Sequence, residues 1–310
     1  MSATPENANC LVVYSNYAYR GTPQTDLLLL AESVRAFGGS TRDWPIWIMC
    51  DDLSRLSAST LRRASGLRVS ILPFAIDQAF STYPFAAKAS AAAEAERIAE
   101  GFVDQLLWFD RDSLVVGDIS SLLLTHDKKC SFRPVNVKNI GLDAGVSRKV
   151  DPFWSRVFEL SGVDESDIGT AISYIDRRNL RFYIAAGLVG ARVELGIFQE
   201  WERFMRGFVS DDTLRALCAE SEPHRIFLHQ AALSLAVAHT THPNERQELP
   251  ILSMYPLNFW EEDGPERRPR MLDDAISLRY DTELDGDAWC RFPMSEALER
   301  WIRTHMHADE

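Results

Sequence analysis

Cysteine is scarce in this chain of 310 residues. Its five cysteines (Cys10, Cys50, Cys130, Cys218, Cys290) are scattered, and none forms a C-x-x-C pair. That spacing excludes a disulfide framework or a zinc ribbon as the organising device and suits reduced thiols in a cytoplasmic protein. Net positive charge is missing too. The formal charge of −12 argues against a nucleic-acid groove or an anionic membrane surface as the main partner. An anion held in a locally positive cleft stays open. No apolar run is long enough to span a bilayer, and the opening MSATPENANC has neither the basic region nor the apolar core of a secretory leader. Repeats, low-complexity tracts and clear linkers are also lacking. The expectation is a cytoplasmic protein with no membrane span, read as one domain over 1–310, with oligomerisation open.

What is there is a regular alternation. CLVVYSNY (10–17) reads as a buried strand entering a polar loop, then a helix with Thr22 as N-cap and Pro23 at its first position. Leu27, Leu30, Val34 and Phe37 share one face at helical spacing, and Gly38 offers a stop. WPIWIMCDD (44–52), LRVSILPF (67–74) and the run 106–110 read as further strands. SRLSASTLRRASG (54–66) and the alanine-rich 86–100 are the helices between them. These strands are apolar throughout, without polar alternation, which marks a mostly parallel sheet covered on both faces. The second half is less regular. It holds a strand within 179–190, a helix with Phe198, Trp201, Phe204 or Met205, and Phe208 as its stripe, and a helix over 225–239. A charged loop rich in proline and arginine covers 261–274. The fold class is α/β.

The stretch LLWFDRDSLVVGD (106–118) carries the chemistry. Ligands of parallel sheets sit outside the carboxyl ends of the strands. Asp110 and Asp112 stand at such an end, with Arg111 between them. Two acids at i and i+2 of an extended segment point the same way. Their oxygens can converge on one hard divalent cation, manganese or magnesium. The plain alternative is a pair of exposed loop acids, with Asp112 capping a turn.

LLWFDRDSLVVGDISSLL resembles the D-x-D region of GT-A-fold glycosyltransferases, above all the nucleotide-sugar transferases related to glycogenin and the bacterial lipopolysaccharide galactosyltransferases. Other segments follow in that family's order over residues 10–285: VVYSNYAY, YPFAAKASAAAEA, FYIAAGLVGAR, FLHQAALSL and LPILSMYPLNFW. The resemblance implies a Rossmann-like GT-A sheet, with a nucleotide-binding half over 1–125 and an acceptor-binding half over 126–310. It implies transfer of a sugar from a nucleoside-diphosphate donor, a UDP-sugar first, to an acceptor the sequence does not name.

Carried over residue by residue, Asp110 and Asp112 would bind the metal, with Asp110 also near the ribose. Tyr14, Asn16 and Tyr17 would line the base pocket. Lys88 would approach the diphosphate or hold Asp110 in place, Arg111 would help bind the donor, and Gln230 would stand near the anomeric carbon, as in retaining members. Gly187, His229 and Asn258 would border the acceptor. Three positions depart from the family: Ala185 replaces an asparagine, His229 an aspartate, and Arg279 the histidine that completes the metal site. A guanidinium cannot ligate a metal but can bind phosphate directly. His305 or His307 is then a candidate third ligand, while His239 and His242, at i and i+3, read as a helix end. Two other functions compete. One is a non-catalytic nucleotide-sugar-binding protein on the same fold. The other is a haloacid-dehalogenase-type phosphatase, with Asp110 as nucleophile and MLDD (271–274) as its later acid pair.

Overall fold

The computed structural model describes residues 9–15, 27–80, 82–147, 149 and 151–306. The first half holds β1 (Asn9–Ser15), α1 (Leu29–Phe37), β2 (Ile46–Cys50), α2 (Ala58–Gly66), β3 (Val69–Pro73), α3 (Ala87–Ala99), β4 (Gln105–Phe109) and β5 (Ser113–Val115). Then come β6 (Cys130–Pro134), α4 (Pro152–Ser161), β7 (Thr170–Ile172), β8 (Asn179–Arg181), β9 (Ile184–Arg192) and α5 (Ile197–Ser210). The chain closes with α6 (Asp212–Glu220), α7 (Glu222–Thr240), β10 (Arg246–Glu248), β11 (Tyr255–Pro256), β12 (Ser277–Arg279) and α8 (Glu296–Met306). The expected N-cap Thr22 and first-position Pro23 fall outside the described residues; Leu30 and Val34 are buried on α1 as their spacing required, and Leu27 is buried just before it.

Local chemistry explains the helices that were not anticipated. Asp151 accepts the Trp154 N–H at 3.0 Å, Pro152 takes the first helical position, and Gly162 ends α4 at φ 70°. The hairpin β7–β8, the helices α6 and α8, and the small sheet β11–β12–β5 were likewise not expected. Their segments are short, and little in their patterning sets them apart. The choice between Phe204 and Met205 resolves as both, since α5 buries Phe198, Trp201, Phe204, Met205 and Phe208 together.

The main sheet has seven strands in the order β10-β6-β9-β4-β1-β2-β3. β1, β2, β3 and β4 pair in parallel, as do β6 and β10, and only β9 runs against its neighbours. The expected mostly parallel sheet flanked by helices is therefore present. Strand order reverses between β1 and β4, and such a switch point opens a crevice at the carboxyl ends. Asp110 follows β4 at that point. The alanines of α3 lie buried from Ala87 to Ala99, and their small side chains let the helix pack closely on the sheet and α5. The small sheet sets β12 antiparallel to β5, with Arg279 opposite Ser113. A residue from late in the chain thus arrives one position from Asp112.

One buried acid on α3 makes stability depend on pH. Glu96 is inaccessible, accepts the Gln199 N–H at 2.8 Å, and is raised by burial to about 7. Its folded pKa lies above its unfolded value, so its contribution is full in acid and is lost as pH rises through about 7. Glu96→Gln should flatten the decline in Tm between about pH 5 and pH 8, an effect of at most about 3 kcal/mol. Melting curves of both proteins across that range check this, and parallel profiles would contradict it.

Candidate functional site

The site grows from the end of β4. Trp108, fully buried in that strand, donates its indole N–H to the Ala186 carbonyl at 3.3 Å. The Asp110 N–H then donates to the Gly187 carbonyl at 2.8 Å. These bonds pin the strand end against β9 and turn the Asp110 carboxylate into the crevice. Gly187 is needed there: a Cβ would meet Asp110 Oδ2 at 3.3 Å, Met254 Sδ at 3.4 Å and an Arg279 terminal nitrogen at 3.6 Å.

Both D-x-D acids are engaged by cations. Lys88 Nζ, from the first turn of α3, lies 2.5 Å from Asp110 Oδ1. The Arg279 guanidinium spans the pair, 3.2 Å from Asp110 Oδ2 through one terminal nitrogen and 3.2 Å from Asp112 Oδ2 through the other. That second nitrogen also lies 3.2 Å from Asp281 Oδ1. The Tyr280 N–H, donating to the Asp112 carbonyl at 2.9 Å, fixes this loop to the strand end.

The electrostatics follow from that cluster. Burial would lower the Arg279 guanidinium, but Asp112, Asp110 and Asp281 outweigh it and hold the charge on firmly. Burial would raise Asp112, yet Arg279, a hydrogen bond with Asp281, and Lys88 keep it well below the usual carboxylate range. Asp281, raised by burial against the pull of Arg279 and raised further by Asp112, reaches about 6. His229 packs its ring 5.3 Å from that of Phe85, and the Lys88 ammonium lies 5.0 Å from the same Phe85 ring. Burial, with Lys88 and Arg279 adding to it, keeps His229 neutral. His229, one residue before Gln230 in α7, and the Lys88 ammonium thus share the Phe85 ring. Gln230 Oε1 is buried without a hydrogen-bond partner among the described residues.

These residues do not fit the expected divalent cation. The position where two aspartate oxygens converge is taken by a guanidinium. A divalent ion about 4 Å from that charge would meet repulsion of about 8 kcal/mol at an effective dielectric near 20. Among the described residues no group of three or more His, Cys, Asp or Glu is arranged to hold a metal. His305 bonds the Trp301 carbonyl at 2.8 Å and stacks on that ring, and His307 lies outside the described residues. His239 pairs with Glu200 at 2.6 Å, and His242 meets Asn244 at 3.0 Å.

Other expectations sort as follows. Asp110, Asp112, Lys88, Gly187 and Arg279 come together. Arg111 is half-buried at the strand end and makes no ion pair among the described residues. Tyr14 lies in β1, while Asn16 and Tyr17 fall outside the described residues. Asn258 is exposed on a short 3₁₀ turn. In the charged loop, Arg267 pairs with buried Asp263 at 3.0 Å and Arg268 lies 5.3 Å over the Trp260 ring, while Arg270 is exposed. Asp273 and Asp274, the acids a phosphatase would need, are spent on Ser295 and on the Met271 N–H. Asp281 was missed. Its spacing of two from Arg279 was the signal, since a strand-end acid two residues on can reach the same guanidinium.

A family model for a Rhodobacterales glycosyltransferase domain matches residues 18–241. No curated protein matches the chain. Among solved structures, GlyE, a glycosyltransferase of Streptococcus pneumoniae TIGR4, is 12% identical at a TM-score of 0.50, over 97% of this chain and 61% of GlyE. That likeness shows the fold. The galactosyltransferase LgtC, with donor and acceptor sugar analogs, is 13% identical at 0.48, over 96% of this chain and 95% of LgtC. Mouse xyloside xylosyltransferase 1 is 11% identical at 0.49, over 89% and 98% respectively. The GT-A sheet topology and the family match over more than half of the chain lead to one conclusion: this protein is a glycosyltransferase and belongs to the Rhodobacterales glycosyltransferase domain family.

Proposed function

We propose that the chain transfers a sugar from a nucleoside diphosphate, with UDP the first candidate, and that Arg279 and Lys88 receive the diphosphate at the end of β4. The observation that carries this is the guanidinium held across Asp110 and Asp112 at the topological switch point. Arg279 has five N–H donors. Its three ion pairs engage the terminal nitrogens, and Nε has no hydrogen-bond partner among the described residues. Donors therefore remain for a phosphate oxygen. Fixed positive charge at the leaving diphosphate, set in place before the reaction, stabilises the charge that develops as the glycosidic bond breaks. In this reading the two aspartates position Arg279, Lys88 holds Asp110, and Arg111 adds charge at the rim. The segment 1–125 serves the nucleotide and 126–310 the acceptor.

Retention is the stereochemical outcome this reading favours. Asp110, Asp112 and Asp281 are all tied to Arg279, so none is placed as the free base that inversion requires. In this reading Gln230, whose amide oxygen is buried without a hydrogen-bond partner among the described residues, faces the sugar's leaving face. The test is donor consumption. Nucleotide sugars are screened with purified protein, released nucleoside diphosphate is followed, and the anomer of the product is read by NMR. Release from one base class with retained configuration supports the proposal, and an inverted product would overturn the role given to Gln230.

A further inference from the structure

Arg133 is a buried arginine that the fold does not use up. It sits in β6 where the pairing with β9 slips: Phe132 faces Val189, but Pro134 faces Ile184. Such bulges re-aim side chains and cluster beside active sites. Only 3% of Arg133 is exposed, yet it has no carboxylate partner among the described residues. One terminal nitrogen donates to Asn136 Oδ1 at 3.0 Å, and Nε has no partner among the described residues. Arg246, buried on the neighbouring strand, shows what a structural arginine does here. It bonds Thr241 Oγ1 at 3.0 Å, the Ile168 carbonyl at 2.6 Å and the Thr241 carbonyl at 2.8 Å, with its guanidinium 4.4 Å over the Phe182 ring. Burying a charge without such partners is costly.

Arg133 faces a cavity of about 790 Å³, whose wall includes Tyr174, Arg177, Asn179 and Glu248. That volume suits a sugar-sized ligand. Its charged lining is two arginines against one glutamate, a net positive pocket in a chain of net charge −12. Burial, with Arg279 adding to it and Tyr174 opposing, lowers Arg133 only to about 9, so it stays cationic at neutral pH. Ile251 on the cavity wall accepts the Met254 N–H at 3.1 Å, and Met254 Sδ would lie 3.4 Å from a Cβ at Gly187, the residue whose carbonyl holds the Asp110 N–H.

We propose that this pocket is the acceptor subsite and that Arg133 selects an anionic saccharide, one carrying a carboxylate or a phosphate, by a charge-assisted hydrogen bond to that group. The proposal rests on the donor reading for the word acceptor, but the anion site is tested apart from it. Methyl glucuronide and glucose 6-phosphate are titrated against methyl glucoside without nucleotide, followed by ligand-observed NMR, on wild type, Arg133→Met and Arg133→Lys. The anionic sugars should bind about ten- to a hundredfold more tightly than the neutral one. Arg133→Met should erase that preference, and Arg133→Lys should keep part of it. Equal binding of the neutral sugar, or a preference that survives Arg133→Met in a variant with wild-type melting behaviour, would overturn the proposal.

The transfer assay then separates donor from acceptor. In Arg133→Met, transfer to the anionic acceptor should fall at least about tenfold relative to hydrolysis of the nucleotide sugar by water. If Arg133→Met instead abolishes use of a uronate donor and leaves acceptor choice alone, the acceptor assignment is overturned. A wild type that binds the anionic sugars but consumes no nucleotide sugar would overturn the donor reading and leave the anion site standing.

Discussion

Arg279→Met is expected to lower sugar transfer about 100- to 1,000-fold, the loss seen when one fixed donor to a developing anion is removed. The methionine keeps the length and the apolar stem but removes the guanidinium that spans Asp110, Asp112 and Asp281. Asp110 would retain Lys88, whereas Asp112 and Asp281 would face each other without that counter-charge. Stability should fall as well, by roughly 3 kcal/mol, the cost of breaking a largely buried ion network from one side. Arg279→Lys restores charge without the planar fork and should recover only part of the activity. Arg279→His is the informative exchange: with the guanidinium gone and an imidazole beside two freed carboxylates, the protein should bind manganese more tightly than wild type does. Steady-state rates, melting curves and a manganese titration of the three variants check these outcomes.

Trp201→Ala carries the largest expected loss of stability, about 4 kcal/mol, or a drop in Tm of roughly 6 °C. Trp201 is fully buried on α5, packs edge-on to Trp108 at 6.3 Å, and donates its indole N–H to the His229 carbonyl at 2.8 Å. The mutation therefore opens a cavity and removes the second hydrogen bond of a carbonyl inside α7. The site should feel it, because Trp108 lies two residues before Asp110 and His229 lies one before Gln230. Trp201→Phe, which keeps most of the volume but loses the N–H, should cost about 1 kcal/mol. Thermal melts of the two variants separate packing from the hydrogen bond. Equal losses would mean that the bond, not the packed volume, holds α7 in place.

The parts of the fold legible in the sequence were those with long, unmixed patterns. The apolar strands up to Phe109 and the α5 stripe stood out because a buried parallel sheet and an amphipathic helix leave strong periodic signals. The hairpin β7–β8 and the strand β12, each strand only three residues long, left almost none. For the site, Asp110 and Asp112 were visible because acids seldom end an apolar strand. The resemblance placed Lys88 and Arg279 near them. It did not reveal that Arg279 occupies the space between the acids, since that depends on how β12 pairs with β5 far along the chain. Arg133 was invisible for a related reason: an arginine in a strand is unremarkable until its neighbours are seen to leave it unpaired.

The most direct measurement is calorimetric titration of the wild-type protein with UDP and other nucleoside diphosphates, once in EDTA and once in manganese. A guanidinium across the D-x-D pair predicts binding of similar affinity in both conditions, lost in Arg279→Met. Binding that appears only with manganese, and survives Arg279→Met, would contradict the account and return the two aspartates to a metal.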